Sequence, residues 1–308
     1  MILCCGEALI DMIAEPTTSG HGGFVPHCGG AVFNTAIALG RLGVRTGMLT
    51  GLSSDMFGRQ LSHSLASSHV DTRHIITSNR PTTLAFVKVV KGQASYTFYD
   101  ENSAGRMLRP EDMPSLPADV TALYFGGISL ACEPGADAYS ALAMRHAEGR
   151  AVVLDPNIRA GFISDETRYR ARLDAMIART DILKVSDEDL NWILRAQLSL
   201  REKAQVLLDK GPALVIVTRG GEGATGFLAE GTEVDVPAQR VQIVDTVGAG
   251  DTFNAGVMAK LASQGLLTKA GLASVNTKAL KDALVFGTRV AAVTVSRAGA
   301  NPPWTEEL

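Results

Sequence analysis

One segment of the chain gathers residues able to handle an anion and a proton together: Val244-Asp245-Thr246-Val247-Gly248-Ala249-Gly250-Asp251-Thr252-Phe253-Asn254-Ala255-Gly256. An apolar, strand-like run, Val241 to Val244, leads into a glycine turn and then a helix whose face is Phe253, Val257 and Leu261. Such a turn aims the unpaired N–H groups of the helix start at one point, where the helix dipole also favours negative charge. Asp251 is the odd residue there. A carboxylate in the same nest as a phosphate repels it, so taking a proton from a hydroxyl nucleophile explains Asp251 better than phosphate storage does. The plain alternative is an acidic first-turn residue that complements the helix dipole.

A second string, Gly29-Gly30-Ala31-Val32-Phe33-Asn34, places two glycines before a helix that runs to Leu42. Glycines there let a ligand approach the backbone closely, and Asn34 on the first turn offers both a donor and an acceptor to a polyol. Other glycine-loop chemistries find no support. No GxxxxGK precedes a Ser or Thr, and a dinucleotide fingerprint would need glycine where Phe253 stands. It would also need an acidic residue about twenty positions on, whereas Thr252 to Lys281 contains no Asp or Glu. HExxH and GxSxG are absent.

These residues must be positioned by a chain of 308 residues, 46% hydrophobic and 20% charged, which is ample for one large α/β unit. With 29 basic against 32 acidic residues and no long run of one sign, nucleic acid is a poor partner. The longest wholly apolar stretches, such as Ala213 to Val217 and Val290 to Val293, fall far short of the roughly 18 residues a membrane helix needs. Met1 to Leu9 has no basic n-region, so a cytoplasmic location is expected. Cys4, Cys5, Cys28 and Cys132 form no CxxC and read as reduced, packed thiols.

Short apolar runs recur at Ala122 to Phe125, Ala151 to Leu154, Asp181 to Val185 and Ala213 to Val217. Their starts lie about thirty residues apart, and the helical periodicity between them matches βαβ units and a parallel sheet. Each run ends in polar or glycine-rich sequence, at the carboxyl edge where such sheets bind ligands. Earlier in the chain, Ile2 to Ile13 reads as one strand, and Thr83 to Val90 with Ser95 to Asp100 as a hairpin around Lys91-Gly92-Gln93. With Ala14 to Val25, that hairpin is expected to form a small lid sheet over the ligand edge.

The two glycine strings together closely resemble the paired signatures of the ribokinase-like (PfkB) carbohydrate kinases, and the resemblance runs from Gly6-Glu7 to Gly299-Ala300. It implies an α/β fold: a doubly wound, mostly parallel sheet with helices on both faces and a small β-sheet lid. One kinase domain would span 1–308, with the lid formed by about 12–28 and 82–102. The implied reaction is ATP-dependent phosphoryl transfer to a sugar hydroxyl, with Asp251 as general base and Gly248, Ala249 and Gly250 as the anion hole. Asp11, Gly29, Gly30 and Asn34 would hold the sugar, and Thr218, Gly220 and Gly223 the nucleotide. Mg²⁺ would arrive with ATP. A homodimer through the lid is also implied.

Two motifs depart from the family pattern. Where relatives commonly show Asn-x-x-Glu, this chain has Ser186-Asp187-Glu188-Asp189. Ser186 keeps a nucleotide role by resemblance and Asp189 an indirect one toward the metal, against the alternative of a helix cap with acidic first-turn residues. A monovalent cation, K⁺ in many relatives, would sit between Asp245 and the loop Arg297 to Pro303, but Pro302-Pro303 supplies no side-chain oxygen. Asp155-Pro156-Asn157-Ile158-Arg159 looks like the string of fructokinases and 2-keto-3-deoxygluconate kinases, and Tyr99 to Arg106 resembles fructokinase sequence, with Asn102, Arg106 and Arg159 toward the sugar. Fructose is the expected substrate, with the keto-acid and ribose as alternatives. A sugar-binding regulator without catalysis is the reading from another class, and intact Asp251 argues against it.

Overall fold

In the computed structural model, which describes residues 1–90 and 93–308, the apolar runs become strands and the periodic stretches between them become helices. In chain order the strands are β1 (Ile2–Cys5), β2 (Leu9–Pro16), β3 (Gly22–Gly29), β4 (Thr46–Leu49), β5 (Gly51–Ser53), β6 (Val70–Asp71), β7 (Ile76–Ser78), β8 (Leu84–Val90), β9 (Gln93–Tyr99), β10 (Ala122–Gly126), β11 (Ala151–Asp155), β12 (Ile182–Ser186), β13 (Leu214–Thr218), β14 (Ala224–Leu228) and β15 (Glu233–Val236). The helices are α1 (Ala31–Arg41), α2 (Met56–Ser67), α3 (Gly135–His146), α4 (Glu166–Ile177), α5 (Asp187–Ile193), α6 (Leu200–Leu208), α7 (Ala249–Ser263), α8 (Lys269–Leu272) and α9 (Thr277–Val295).

The main sheet has nine strands in the order β15-β14-β13-β12-β11-β10-β1-β4-β6. Strands β13 through β6 in that order are mutually parallel, and β14 and β15 return antiparallel at one edge. Alternation along β1 shows why the strands read as unbroken apolar runs. Ile2 and Cys4 pack into a core with α1, α7 and α9, while Leu3 and Cys5 pack into a second core with α3, α4 and α6. Both faces are covered, so every position must be apolar. Asp155, Ser186 and Thr218 close β11, β12 and β13 at one carboxyl edge, as the motif positions require.

Two expectations need correction. The run from Ile2 to Ile13 is two strands, because the chain leaves the main sheet at Gly6 and starts a second sheet at Leu9. The break is anchored by Glu7, whose Oε1 accepts from the Ala31 N–H at 3.0 Å and whose Oε2 accepts from the Ser129 N–H at 3.2 Å. Likewise, Val241 to Val244 is no strand. Ile243 is 65% and Val244 59% exposed, and the segment is tied down where the Val244 N–H donates to the Val295 carbonyl at 2.8 Å.

The second sheet has the order β3-β2-β8-β9. Its β2–β3 and β8–β9 ladders are antiparallel, and β2 and β8 join them in parallel. These strands occupy the segments expected for the lid, although Lys91 and Gly92 of the anticipated turn lie outside the described residues. Among the described residues no helix is long and apolar enough to cross a membrane.

Candidate active site

Helix α7 begins where the chain can bend into it only through glycine. Gly248, its N-cap, has φ 78°, and a Cβ there would stand 2.6 Å from the Ala300 Cβ. In the turn that follows, the Ala249 N–H leans on the Thr246 carbonyl at 3.3 Å, and the N–H groups of Gly250 and Asp251 keep no acceptor among the described residues. That leaves the first-turn donors an anion needs.

Asp251 is buried at this turn. Its Oδ2 accepts from Asn34 Nδ2 at 2.9 Å, and its carbonyl accepts from Thr35 Oγ1 at 3.1 Å, so α1 and α7 are joined directly at the candidate base. Burial is the main reason its carboxyl is pushed from 3.8 up to about 7. The Asp155 and Glu7 carboxylates push the same way, while the Asn34 hydrogen bond and the Lys184 charge oppose them. A carboxylate near neutrality is suited to take and return a proton.

Behind Asp251 lies a buried polar chain that motif reasoning did not find. Thr35 Oγ1 reaches the Tyr124 hydroxyl at 3.4 Å, and Asn254 Nδ2 donates to that hydroxyl at 3.1 Å and to Asp155 Oδ2 at 2.7 Å. The Lys184 ammonium donates to the same Asp155 Oδ2 at 3.0 Å. No local pattern could have revealed these partners, which meet only through the sheet.

The residues expected at the sugar fall into two groups. Asp11 on β2, paired with His27 of β3, reaches toward Gly29 so closely that a Cβ on Gly29 would lie 2.1 Å from Asp11 Oδ2. Burial raises the Asp11 carboxyl to about 6, against the pull of His27. Gly30, with φ 107°, packs on the Glu7 carbonyl and starts α1, which presents Asn34 to Asp251. The other group, Arg106 and Arg159, lines a cavity of about 830 Å³ with Phe98 of β9, Phe162, Cys132 and Glu188; Asn34 and Asp251 are not among its walls. Arg106 is turned to Asp100 Oδ1 at 2.9 Å and the Glu133 carbonyl at 3.1 Å. Exposed Asn102 holds a left-handed turn at φ 58°.

Of the residues expected at the nucleotide, Thr218, Gly220 and Gly223 form the β13–β14 hairpin turn. Gly223, with φ 109°, passes so near β15 that a Cβ would lie 2.1 Å from the Val236 carbonyl. Ser186 and Asp189 adopt the helix-cap alternative. Ser186 Oγ accepts from the Asp189 N–H at 3.0 Å, Asp189 Oδ2 from the Ser186 N–H at 3.4 Å, and Asp189 Oδ1 from the Ile158 N–H at 3.0 Å. Asp245 bridges the turn before α7 to the C-terminal loop, accepting from the Val247 N–H at 3.0 Å and the Gly299 N–H at 2.9 Å. Among the described residues no group of three or more His, Cys, Asp or Glu is placed to hold a metal ion.

Comparison with known proteins gives this geometry its family. The model for the pfkB family carbohydrate kinases matches residues 1–307. A fructokinase of Rhizobium leguminosarum bv. trifolii is 51% identical over 92% of this chain and 86% of its own. The crystal structure of fructokinase with bound ATP from Xylella fastidiosa superposes with a TM-score of 0.90 at 30% identity, covering 99% of this chain and 96% of that one. A double mutant of the Vibrio cholerae O395 fructokinase, in fructose, ADP and potassium ion bound form, gives 0.83 at 25% identity, covering 97% and 93%. With the match running from the first strand to the last residues and the glycine turn of α7 inside it, the chain belongs to the pfkB family of carbohydrate kinases.

Proposed function

We propose that this chain is a fructokinase that moves the γ-phosphoryl group of ATP to a hydroxyl of fructose. The carrying observation is the buried Asp251, raised toward neutrality beside free N–H groups of Gly250 and its own backbone and bonded to Asn34. In the reaction Asp251 takes the hydroxyl proton, the sugar oxygen bonds to the γ phosphorus, and the bond to the β–γ bridging oxygen breaks, its electron pair leaving with ADP. The α7 turn at Gly248, Ala249 and Gly250 holds the charge that passes by.

Asp11, Gly29, Gly30 and Asn34 bind the sugar, with Arg106, Arg159 and Asn102 completing its outer wall. Thr218, Gly220, Gly223 and Ser186 line the nucleotide. Mg²⁺ bound with ATP neutralises charge on its phosphates. That ion would be carried mainly by phosphate oxygens, with Asp189, which caps α5, contributing indirectly. Asp245 is the candidate protein ligand for a monovalent cation. The β2–β3 and β8–β9 sheet serves as the lid of a single catalytic domain. Its outer face, where Phe24 and Tyr99 are half-exposed and both stack edge-on against Phe86, is the surface for a second copy.

A coupled ADP-release assay over fructose, ribose and 2-keto-3-deoxygluconate tests the substrate. Fructose should lead in kcat/KM by at least about tenfold, roughly 1.4 kcal/mol of transition-state binding. A keto-acid that won the panel would overturn the fructose reading and leave the kinase standing.

A further inference from the structure

Lys184 sits on β12 in the interior, 6% exposed, with its ammonium 3.0 Å from Asp155 Oδ2. Asp155 is itself 1% exposed and also accepts from Asn254 Nδ2 at 2.7 Å and the Asn157 N–H at 3.1 Å. A buried ion pair confers no more stability than a well-packed apolar pair of the same volume, so stability alone does not explain it. Its placement does. A Cβ built on Gly250 would lie 3.3 Å from Lys184 Nζ, which brings the ammonium against the first turn of α7. Asp155 occupies one of its three N–H donors, and the other two are bonded to no described residue.

We propose that Lys184 is a further catalytic residue, whose ammonium, held by Asp155 at the Gly250 end of α7, donates hydrogen bonds to the phosphoryl group in transit. Asp155 and Asn254 are its positioning residues. The inference rests on the kinase reading above and adds a cation to its glycine turn. As the bond to the sugar oxygen forms and the bond to the bridging oxygen breaks, the γ oxygens pass the α7 turn with their charge uncompensated by solvent. Lys184 keeps its proton throughout; the hydroxyl proton goes to Asp251. A fixed ammonium needs no reorganisation at that moment, which is the condition under which such a charge is most effective.

The test compares wild type with Lys184→Met on whichever sugar of the panel the wild type phosphorylates, so a wrong sugar overturns the fructose reading alone. We expect kcat to fall by about 10²- to 10³-fold. The complex of Mg²⁺, ADP, sugar and aluminium fluoride, which mimics the phosphoryl group in transit, should weaken by a similar factor, while affinity for ADP stays within about threefold. The pH at which activity fades should move upward, because Lys184 opposes the effect on Asp251 of burial, Asp155 and Glu7, while the Asn34 hydrogen bond is unchanged. A folded variant retaining more than about a tenth of wild-type kcat would overturn the proposal. So would equal weakening of the fluoride complex and of ADP, which is the signature of a packing role. If Asp155 left unpaired prevents folding, the double variant Lys184→Met with Asp155→Asn removes both charges and is judged by the same ratios.

Discussion

Around Asp251 buried polar side chains from distant elements are tied to one another: Asn34 to Asp251, Thr35 and Asn254 to Tyr124, and Asn254 and Lys184 to Asp155. Around Arg159 the construction is the reverse. That arginine is exposed, donates to the carbonyl of its own neighbour Ile158 at 3.1 Å, and shares its cavity with Phe98 of a separate sheet. The phosphoryl end draws its geometry from α1, α7, β10, β11 and β12, which share one packed body. The cavity wall at Arg159 draws on loops and on β9 of the second sheet. On the proposed reading, the chemistry that tolerates little displacement sits on packed elements, and sugar recognition draws on loops and a second sheet.

If that contrast holds, the largest effect belongs to the packed end. Asp251→Asn keeps the shape of the side chain and removes its basicity, so kcat should drop by roughly 10²- to 10⁴-fold with sugar affinity little changed. A folded variant above about a tenth of wild-type kcat would contradict the assignment of the base.

Next comes pH. The form of Asp251 able to accept a proton is lost as pH falls through about 7, so kcat/KM should decline about tenfold per pH unit below that point. Stability runs the other way. The folded state holds this proton more tightly than the unfolded chain, so the group's stabilising contribution is complete below about 3.8 and lost as pH rises through about 7. Between these limits the wild-type melt should therefore fall relative to that of Asp251→Asn as pH rises; a difference independent of pH would count against the raised carboxyl.

A smaller effect is expected where the two regions meet. Gly29→Ala pushes a methyl group into the space of the Asp11 carboxylate, which should raise KM for the sugar about tenfold and leave kcat within about threefold. An unchanged KM would detach Asp11 from the sugar.

The parallel sheet was legible because each βαβ unit repeats its own signal: a wholly buried strand, a polar carboxyl end, then a helical period. Periodicity failed where its cause lay elsewhere. An apolar run from Ile2 to Ile13 carries no local mark of leaving one sheet for another, since Glu7 makes its bonds to Ala31 and Ser129 far along the chain. Val241 to Val244 has the composition of a strand but pairs with none of the strands among the described residues. Asp251 and its glycines could be read because they are contiguous. Lys184 could not, for a single lysine in a strand is silent until Asp155 and Gly250 are brought beside it. Ser186 to Asp189 was ambiguous for a physical reason, as the same spacing serves a helix cap and an indirect metal role, and the backbone bonds are those of the cap.

The hydrogen bond between Asn34 and Asp251 spans 217 residues of chain. At a synthesis rate of about 5–20 residues per second, roughly 10 to 40 seconds separate the emergence of its two partners from the ribosome. In the finished sheet β1 lies between β4 and β10, and β11, β12 and β13 each pair with the main-sheet strand made just before. Helix α7 is made after all of them and lays Asp251 against α1 last. A chain made only as far as β13 thus carries most of the main sheet and no working centre, so α7 must be made before the nascent protein can consume ATP.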